Sequence, residues 1–346
     1  MADPQQSHGP VGPEKASGRG LRVMAIGGGT GLSTLLKGLK HFVSLPVERS
    51  SATPVEPVIS ELCAVVTVSD DGGSSGRLRK ELNMLPPGDI RNCIVALSQD
   101  EALLSRLFQH RFVKGSGLEG HSFGNLFLAA LTSITGDFSE AVRLSAEILL
   151  TRGHIYPATT SNIELEAVME DGSRVLGETK ITASRGRIKE LLLVPPDVEP
   201  LPQTLEAIAR ADVISVGPGS LFTSLIPNLL VHGIADAIVN SAAVKVYVCN
   251  LMTQANESLG LINRTPVPIE LKAKYALEGA TQIVADLEAI EALGVCPVLG
   301  DYLEEGDVAR HATDKVSRDL LELASQAPPA RDRTGSHHTV KAFTRR

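Results

Sequence analysis

Four times along this chain an apolar, β-rich run ends abruptly in a turn of small polar residues. Residues 22–26 stop at Gly27-Gly28-Gly29-Thr30-Gly31, and residues 62–68 (LCAVVTV) stop at the octapeptide SDDGGSSG. Residues 213–216 stop at Gly217-Pro218-Gly219-Ser220, and residues 244–249 run into the segment CNLMTQ. Continuous runs of β-branched residues, without polar alternation, read as strands buried on both faces, as in a parallel sheet covered by helices. Leu32, Leu35, Leu36 and Leu39 recur at helical spacing directly after the first turn. Strand, glycine turn and helix therefore form a unit. A chain built this way is expected to fold as an α/β protein, a Rossmann-like doubly wound and mainly parallel sheet, with ligands beyond the carboxyl ends of the strands.

The remaining segments fill in this outline. Pro86-Pro87-Gly88 forces a turn before Asp89, read as the N-cap of a helix carrying Ile90, Ile94, Val95 and Leu97. A helix is expected from Phe123 through Leu131, and Asp137 with Glu140 has the capping-box spacing for another ending near Leu150. The middle of the chain reads differently. Residues 162–169 alternate, Asp171-Gly172 signals a hairpin turn, residues 174–182 alternate again and a third strand follows at 188–194. This predicts a small antiparallel β insertion over about 155–195. The doubly wound pattern then resumes with a helix at 203–210. One nucleotide-binding domain over 21–325 is expected, between a disordered leader (1–20) and a disordered, mildly basic tail (326–346). Both flanks are rich in Gly, Pro and polar residues and lack apolar periodicity.

Composition narrows the partners. Of the 346 residues 43% are hydrophobic, but the aromatics are only 8 Phe and 4 Tyr, with no Trp, and 33 basic residues face 40 acidic ones for a net charge of −7. Neither a basic footprint nor a set of stacking platforms is present, so no nucleic-acid partner is expected. No apolar run approaches the ~20 residues that would span a membrane. Cys63, Cys93, Cys249 and Cys296 form no CxxC pair and have no His at metal spacing. Cys63 and Cys249 read as small buried thiols, and a cytoplasmic, reducing setting is expected.

The chemistry belongs to the turns. Backbone N–H groups freed by glycine, added to helix N-termini, suit phosphate. Residues 27–31 are the first candidate, although Leu32 stands where a dinucleotide G-x-G-x-x-G would need glycine, and no Gly-Lys-Ser/Thr of a P-loop exists. Asp70 and Asp71 are candidates for Mg²⁺, for the hydroxyls of a sugar or ribose, or for simple capping of their own turn with Ser74 and Ser75. Gly73 and Arg77 complete that loop. Asp89, Arg91 and Asn92 open a helix, where Arg91 suits a phosphate clamp. Gly120-His121-Ser122-Phe123-Gly124 matches the hydrolase elbow G-x-S-x-G, yet a polar loop, not a buried strand, precedes it. His121 and Asn125 are read as ligand contacts or, for His121, as a satisfied structural histidine. Gly217, Pro218, Gly219, Ser220 and Thr223, then Asn250, Met252, Thr253 and Gln254, complete the candidate set.

Six segments in order, VMAIGGGTGLSTLLKGLK, VTVSDDGGSSGRLRKEL, LPPGDIRNCIVALS, GHSFGNLFLAALTSITGDF, GPGSLFTSLIPNLLV and KVYVCNLMTQ, resemble the YvcK family of gluconeogenesis factors, also called UPF0052. The resemblance covers about residues 22–325, within a superfamily that includes 2-phospho-L-lactate transferase (CofD). It implies a CofD-like nucleotide-binding fold and, for this branch, binding of UDP-sugars in a regulatory protein of carbon-source-dependent cell shape and cell-wall synthesis. A cell-wall-synthesis or regulatory protein is the implied partner. Catalysis does not follow from it, and no catalytic residue is assigned. The alternative is a Mg²⁺-dependent transferase of phospholactate type with a nucleoside-diphosphate donor. An NAD-dependent oxidoreductase has only the generic fold in its favour. The chain departs from the family after CNLMTQ. Where relatives carry Gly-Tyr/Phe, a Ser-Asp-His motif, a helix and a strand, residues 259–262 run straight into Asn263-Arg264-Thr265-Pro266. About two dozen residues have no counterpart, which predicts an open sheet edge covered by residues 296–299 or by a second copy in a homo-oligomer.

Overall fold

A buried β-rich strand needs a neighbour on each side, and the first strand of the chain finds one early and one late. In the computed structural model β1 (Leu21–Gly27) pairs in parallel with β2 (Ile59–Val66) on one edge and with a strand near residue 213 on the other. The structure describes residues 20–44, 59–99, 103–184, 186–251, 263–265, 282–284, 287–304, 310–326 and 340–344. Beyond β2 lies β3 (His154–Pro157). A small antiparallel sheet follows, with β4 (Glu164–Met169) between β5 (Arg174–Leu176) and β6 (Ile188–Val194). The main sheet resumes with β7 (Val213–Val216), the late neighbour of β1, and β8 (Val244–Val248). Short pairs β9 (Asn263–Thr265) with β10 (Gln282–Val284), and β12 (Leu303–Glu304) with β13 (Arg310–His311), flank β11 (Val295–Leu299). The last strand is β14 (Val340–Thr344).

The main sheet runs β11-β14-β8-β7-β1-β2-β3, every neighbour pair parallel. Strand order grows one way from β1 through β2 to β3 and the other way through β7, so the switch point lies between β1 and β7. Val23, Met24, Ala25 and Ile26 of β1 and the run Leu62 to Val66 of β2 are buried, as two-sided cover by helices requires. Arg22 locks the start of β1 to the start of β7. Its Nε and Nη2 donate to the Asp212 carboxylate at 3.1 and 2.9 Å, and its backbone N–H adds a third bond at 2.9 Å.

Helices cover the sheet. α1 (Thr30–Leu39) buries Leu32, Leu35, Leu36 and Leu39, the positions its spacing singles out. α2 (Gly73–Leu82), α3 (Gly88–Leu97), α4 (Leu104–Gln109), α5 (Phe123–Thr135) and α6 (Phe138–Ile148) follow. Asp137 caps α6 as expected, accepting from the Glu140 N–H at 2.8 Å, while the Glu140 carboxylate turns to Arg143 instead of back to the cap. Asp89 is not an N-cap. Pro87 holds that position and Asp89 lies inside the first turn of α3, which aims its carboxylate at α1.

The insertion differs from the reading in one element. Residues 174–182 do not form one strand. β5 stops at Leu176, Gly177 takes φ +100°, and α7 (Glu178–Ala183) begins. A positive φ is cheap only for glycine, and it swings the chain out of the ladder toward the main sheet. A second difference concerns the tail. Residues 340–344, read as disordered, form β14 between β8 and β11, so it is this strand that lies against β8, with residues 295–299 one place further out. Met252, Thr253, Gln254, the leader and the junction after Gly260 lie outside the described residues. Cys63 and Cys93 are buried free thiols, and burial pushes Cys63 up to about 12. Cys249 is only half-buried, and Cys296 is exposed. Among the described residues no single helix is long and apolar enough to cross a membrane.

Candidate functional site

Four helices begin at the carboxyl edge of the sheet, and their first turns are tied to one another. A Cβ on Gly29, just before α1, would lie 2.0 Å from Oδ1 of Asp89 in the first turn of α3, so only glycine fits there. The first turn of α3 touches that of α2 through the Gly88 N–H, which donates to Ser75 Oγ at 3.2 Å. α2 is tied to α5 by Asn125 Nδ2, which donates to Ser74 Oγ at 3.1 Å. Arg91 closes the ring, its Nη1 donating to Ser122 Oγ, the N-cap of α5, at 2.5 Å. Each helix start leaves N–H groups without intrahelical partners and carries partial positive charge, so four together favour an anion.

The first turn is more occupied than its glycines suggest. The Gly29 N–H donates to Asp89, so one donor of the glycine loop already serves a carboxylate of the protein. Gly31 is held by packing, since a Cβ there would lie 2.2 Å from the Pro218 carbonyl oxygen. A Cβ on Gly28 would likewise lie 2.7 Å from Ser224 Oγ. Gly31 thus packs against Pro218 and Gly219, Gly27, Gly28 and Gly29 are buried beside Leu225, Ser224 and Asp89, and Thr30 stays exposed at the start of α1. Asn250 fixes Gly219, accepting from its N–H at 3.1 Å and donating to its carbonyl at 2.8 Å. Ser220 caps the helical turn that follows, with its Oγ 2.6 Å from Thr223 Oγ1 and accepting the Thr223 N–H at 3.3 Å.

The two aspartates of the second turn separate. Asp71 accepts from both the N–H and the Oγ1 of Thr179, at 2.8 and 2.6 Å, and so holds the start of α7. Asp70 accepts the Gly72 N–H at 2.9 Å and faces the interior of the site. The partner that the sequence does not single out is Glu178. It lies 109 residues beyond Ser69, on the insertion, and accepts from Ser69 Oγ at 2.9 Å. Nothing in its local sequence marks it, because only the folding of the insertion over the sheet brings it here.

Three carboxylates, Asp70, Asp89 and Glu178, now share a poorly hydrated space. Asp89 keeps some accessible surface, but protein closes around its carboxylate. Burial first and then Asp70 push it up to about 7, against the pull of the Gly29 N–H and of Arg91. Burial, with Asp89 and Asp70 as the nearest like charges, pushes Glu178 up to about 8. Two of the three groups therefore sit close to protonation near neutral pH.

Across the site stands a second group. His121 is buried, and its Nδ1 lies 2.8 Å from Ser74 Oγ. Burial first and then Arg77 lower its pKa, which favours the neutral ring, and the same Ser74 hydroxyl accepts from Asn125 Nδ2. Asn125 Oδ1 is buried with no partner. Arg77 and Arg111 donate to the carbonyls of Glu119 and Gly120, and Arg91 Nη2 donates to Asn92 Oδ1 at 2.6 Å. Ser122, the serine of G-x-S-x-G, is fully buried as a cap and is no exposed nucleophile.

A sequence profile described as 2-phospho-L-lactate transferase CofD matches residues 23–262. A gluconeogenesis factor from Halalkalibacterium halodurans is 48% identical over 324 aligned positions, covering 87% of this chain and 95% of the relative. The chain belongs to the gluconeogenesis factor family. Its Bacillus subtilis member is 44% identical over 333 positions, covering 89% of this chain and all of the relative. A solved UPF0052 protein from Bacillus halodurans superposes with a TM-score of 0.79 at 46% identity, covering 88% of this chain and 99% of that one. Against the B. subtilis gluconeogenesis factor, 89% of 346 residues is about 308, so about 25 of the 333 positions have no counterpart here.

Proposed function

We propose that the chain binds a nucleotide sugar of the UDP-sugar class at the carboxyl edge of its parallel sheet. We further propose that it acts as a regulatory protein linking carbon supply to cell-wall synthesis and cell shape. The observation that carries the binding is the ring of four helix starts, α1, α2, α3 and α5, joined through Asp89, Ser75, Asn125 and Arg91. Such a ring favours a diphosphate. The buried acceptor Asn125 Oδ1 is suited to a donor on the ligand, such as a ring N–H or a sugar hydroxyl. The names of the relatives support the general role, and no reaction is needed for it.

The CofD match supports a second reading, a transferase assisted by Mg²⁺. The donor chemistry suits a divalent cation, because Asp70, Asp89 and Glu178 act on one another as like charges and two of them are driven toward protonation, a repulsion that a cation would relieve. Among the described residues no three such groups converge as a ready metal cage. Phosphate oxygens of the ligand would complete the shell, as is usual for Mg²⁺. Calorimetric titration with UDP-N-acetylglucosamine, GDP and NAD in parallel, each with and without Mg²⁺, tests both. Binding of the UDP-sugar without release of nucleotide product supports the regulator. Absence of binding by all three at millimolar concentration overturns the proposal.

A further inference from the structure

At the far end of α2 from the four helix starts a cleft of about 320 Å³ opens to solvent between the helix and the insertion, lined by Arg79, Lys80, Asn83, Asn162, Glu164 and Val194. Arg79 and Lys80 lie six and seven residues past the first residue of α2, about 9–10 Å along its axis at 1.5 Å per residue. The cleft thus opens one to two turns away from the nucleotide loops, whose Asp71 and Asp70 still act on Arg79. Arg79 is only 6% exposed. Its Nη2 donates to the Ile163 carbonyl at 2.5 Å, while its Nη1 is buried without a partner. Glu164 stands 4.0 Å from Nη2, too far for a hydrogen bond. A guanidinium does not shed its proton, so a buried N–H left unspent is costly. Beside it stand a flexible ammonium, two amides and a half-exposed carboxylate.

We propose that this cleft binds a small hydroxylated oxyanion, a phosphorylated or carboxylated polyol. Arg79 and Lys80 take the anionic group, and Asn83, Asn162 and Glu164 take the hydroxyls. Among the lining residues two cations face one carboxylate, with Asp71 and Asp70 acting on Arg79 from outside the cleft, and the carboxylate with the amides favours an anion that also carries O–H donors over a bare ion. The volume equals that of about ten water molecules at ~30 Å³ each, enough for a triose or hexose phosphate. This site stands whether or not the sheet edge binds a nucleotide.

The chain has no tryptophan, so Val194→Trp, at an exposed position on the rim, puts a single indole at the cleft. Titration of that variant with glycerol 3-phosphate at constant ionic strength is expected to give a saturable fluorescence change in the millimolar range. Adding Lys80→Ala, a surface change, is expected to weaken it about tenfold, and glycerol alone to give none. A change that sodium sulfate reproduces in full, or that Lys80→Ala leaves untouched, overturns the proposal. The parent chain provides a second arm through its melting temperature. A rise with glycerol 3-phosphate that is lost in Lys80→Ala supports the cleft. A rise that survives in Lys80→Ala assigns the phosphate to the nucleotide loops and overturns it, as does no response in either arm.

Discussion

Asp89 is asked to satisfy the Gly29 N–H as an anion while standing beside Asp70 in a space that disfavours charge. The outcome is a carboxyl raised to about 7, with Glu178 at about 8 across the same space. Their ordinary values are near 4, so the folded chain holds protons that the unfolded chain has released. Stability from these two groups is full below about pH 4 and is lost as pH rises toward 7 and 8. The melting temperature of the ligand-free protein is therefore expected to fall between about pH 5 and pH 8. Asp89→Asn and Glu178→Gln should each flatten that fall, and Mg²⁺ should reverse it in the parent. A profile that rises over this interval would contradict the assignment. Ser74 makes a different case, since its hydroxyl is hydrogen-bonded to His121 Nδ1 and also accepts from the Asn125 amide. Ser74→Ala leaves two buried polar groups unpaired and is expected to cost about 1–3 kcal/mol in urea unfolding. It should also weaken UDP-N-acetylglucosamine in calorimetry, because Asn125 then loses its fixed orientation.

Elements that announce themselves locally were legible in the sequence. α1 follows its leucine spacing, α6 its Asp137 cap, and the paired strands β1, β2, β7 and β8 their β-branched runs. What escaped depends on contacts made across long stretches of chain. α7 exists because Gly177 turns the backbone and Asp71, more than a hundred residues earlier, meets Thr179. Asp71 itself read as a ligand contact because a carboxylate in a glycine turn looks the same from sequence whether it meets metal, hydroxyl or a helix start. With only six residues, α7 is too short to persist without that anchor. Asp71→Ala removes it at a cost of about 1 kcal/mol. Amide exchange is expected to accelerate across residues 178–183 while β1 and β2 stay protected, and UDP-sugar affinity should fall less than in Ser74→Ala. Unchanged exchange in α7 would show that the insertion is held by its strands alone.

For the whole molecule, the strand order decides how the sheet closes beyond β8. About 25 family positions are absent, and β14 from the end of the chain lies where β8 needs a neighbour. Deleting residues 327–346 is therefore expected to lower the melting temperature by several degrees and to promote self-association through the bare edge of β8, read by light scattering. Removal of residues 1–19 should change neither. A truncated protein as stable and monodisperse as the parent would place the closure of the sheet elsewhere. The position of β1 carries a consequence of another kind. Its second neighbour, β7, begins at Val213, and the Arg22–Asp212 clasp spans 190 residues. At roughly 5–20 residues per second on the ribosome, the first strand made waits about 10–40 s with one edge bare. Birth of this protein is thus a race between elongation and aggregation, and chaperone capture of nascent chains should peak before β7 emerges and decline after it.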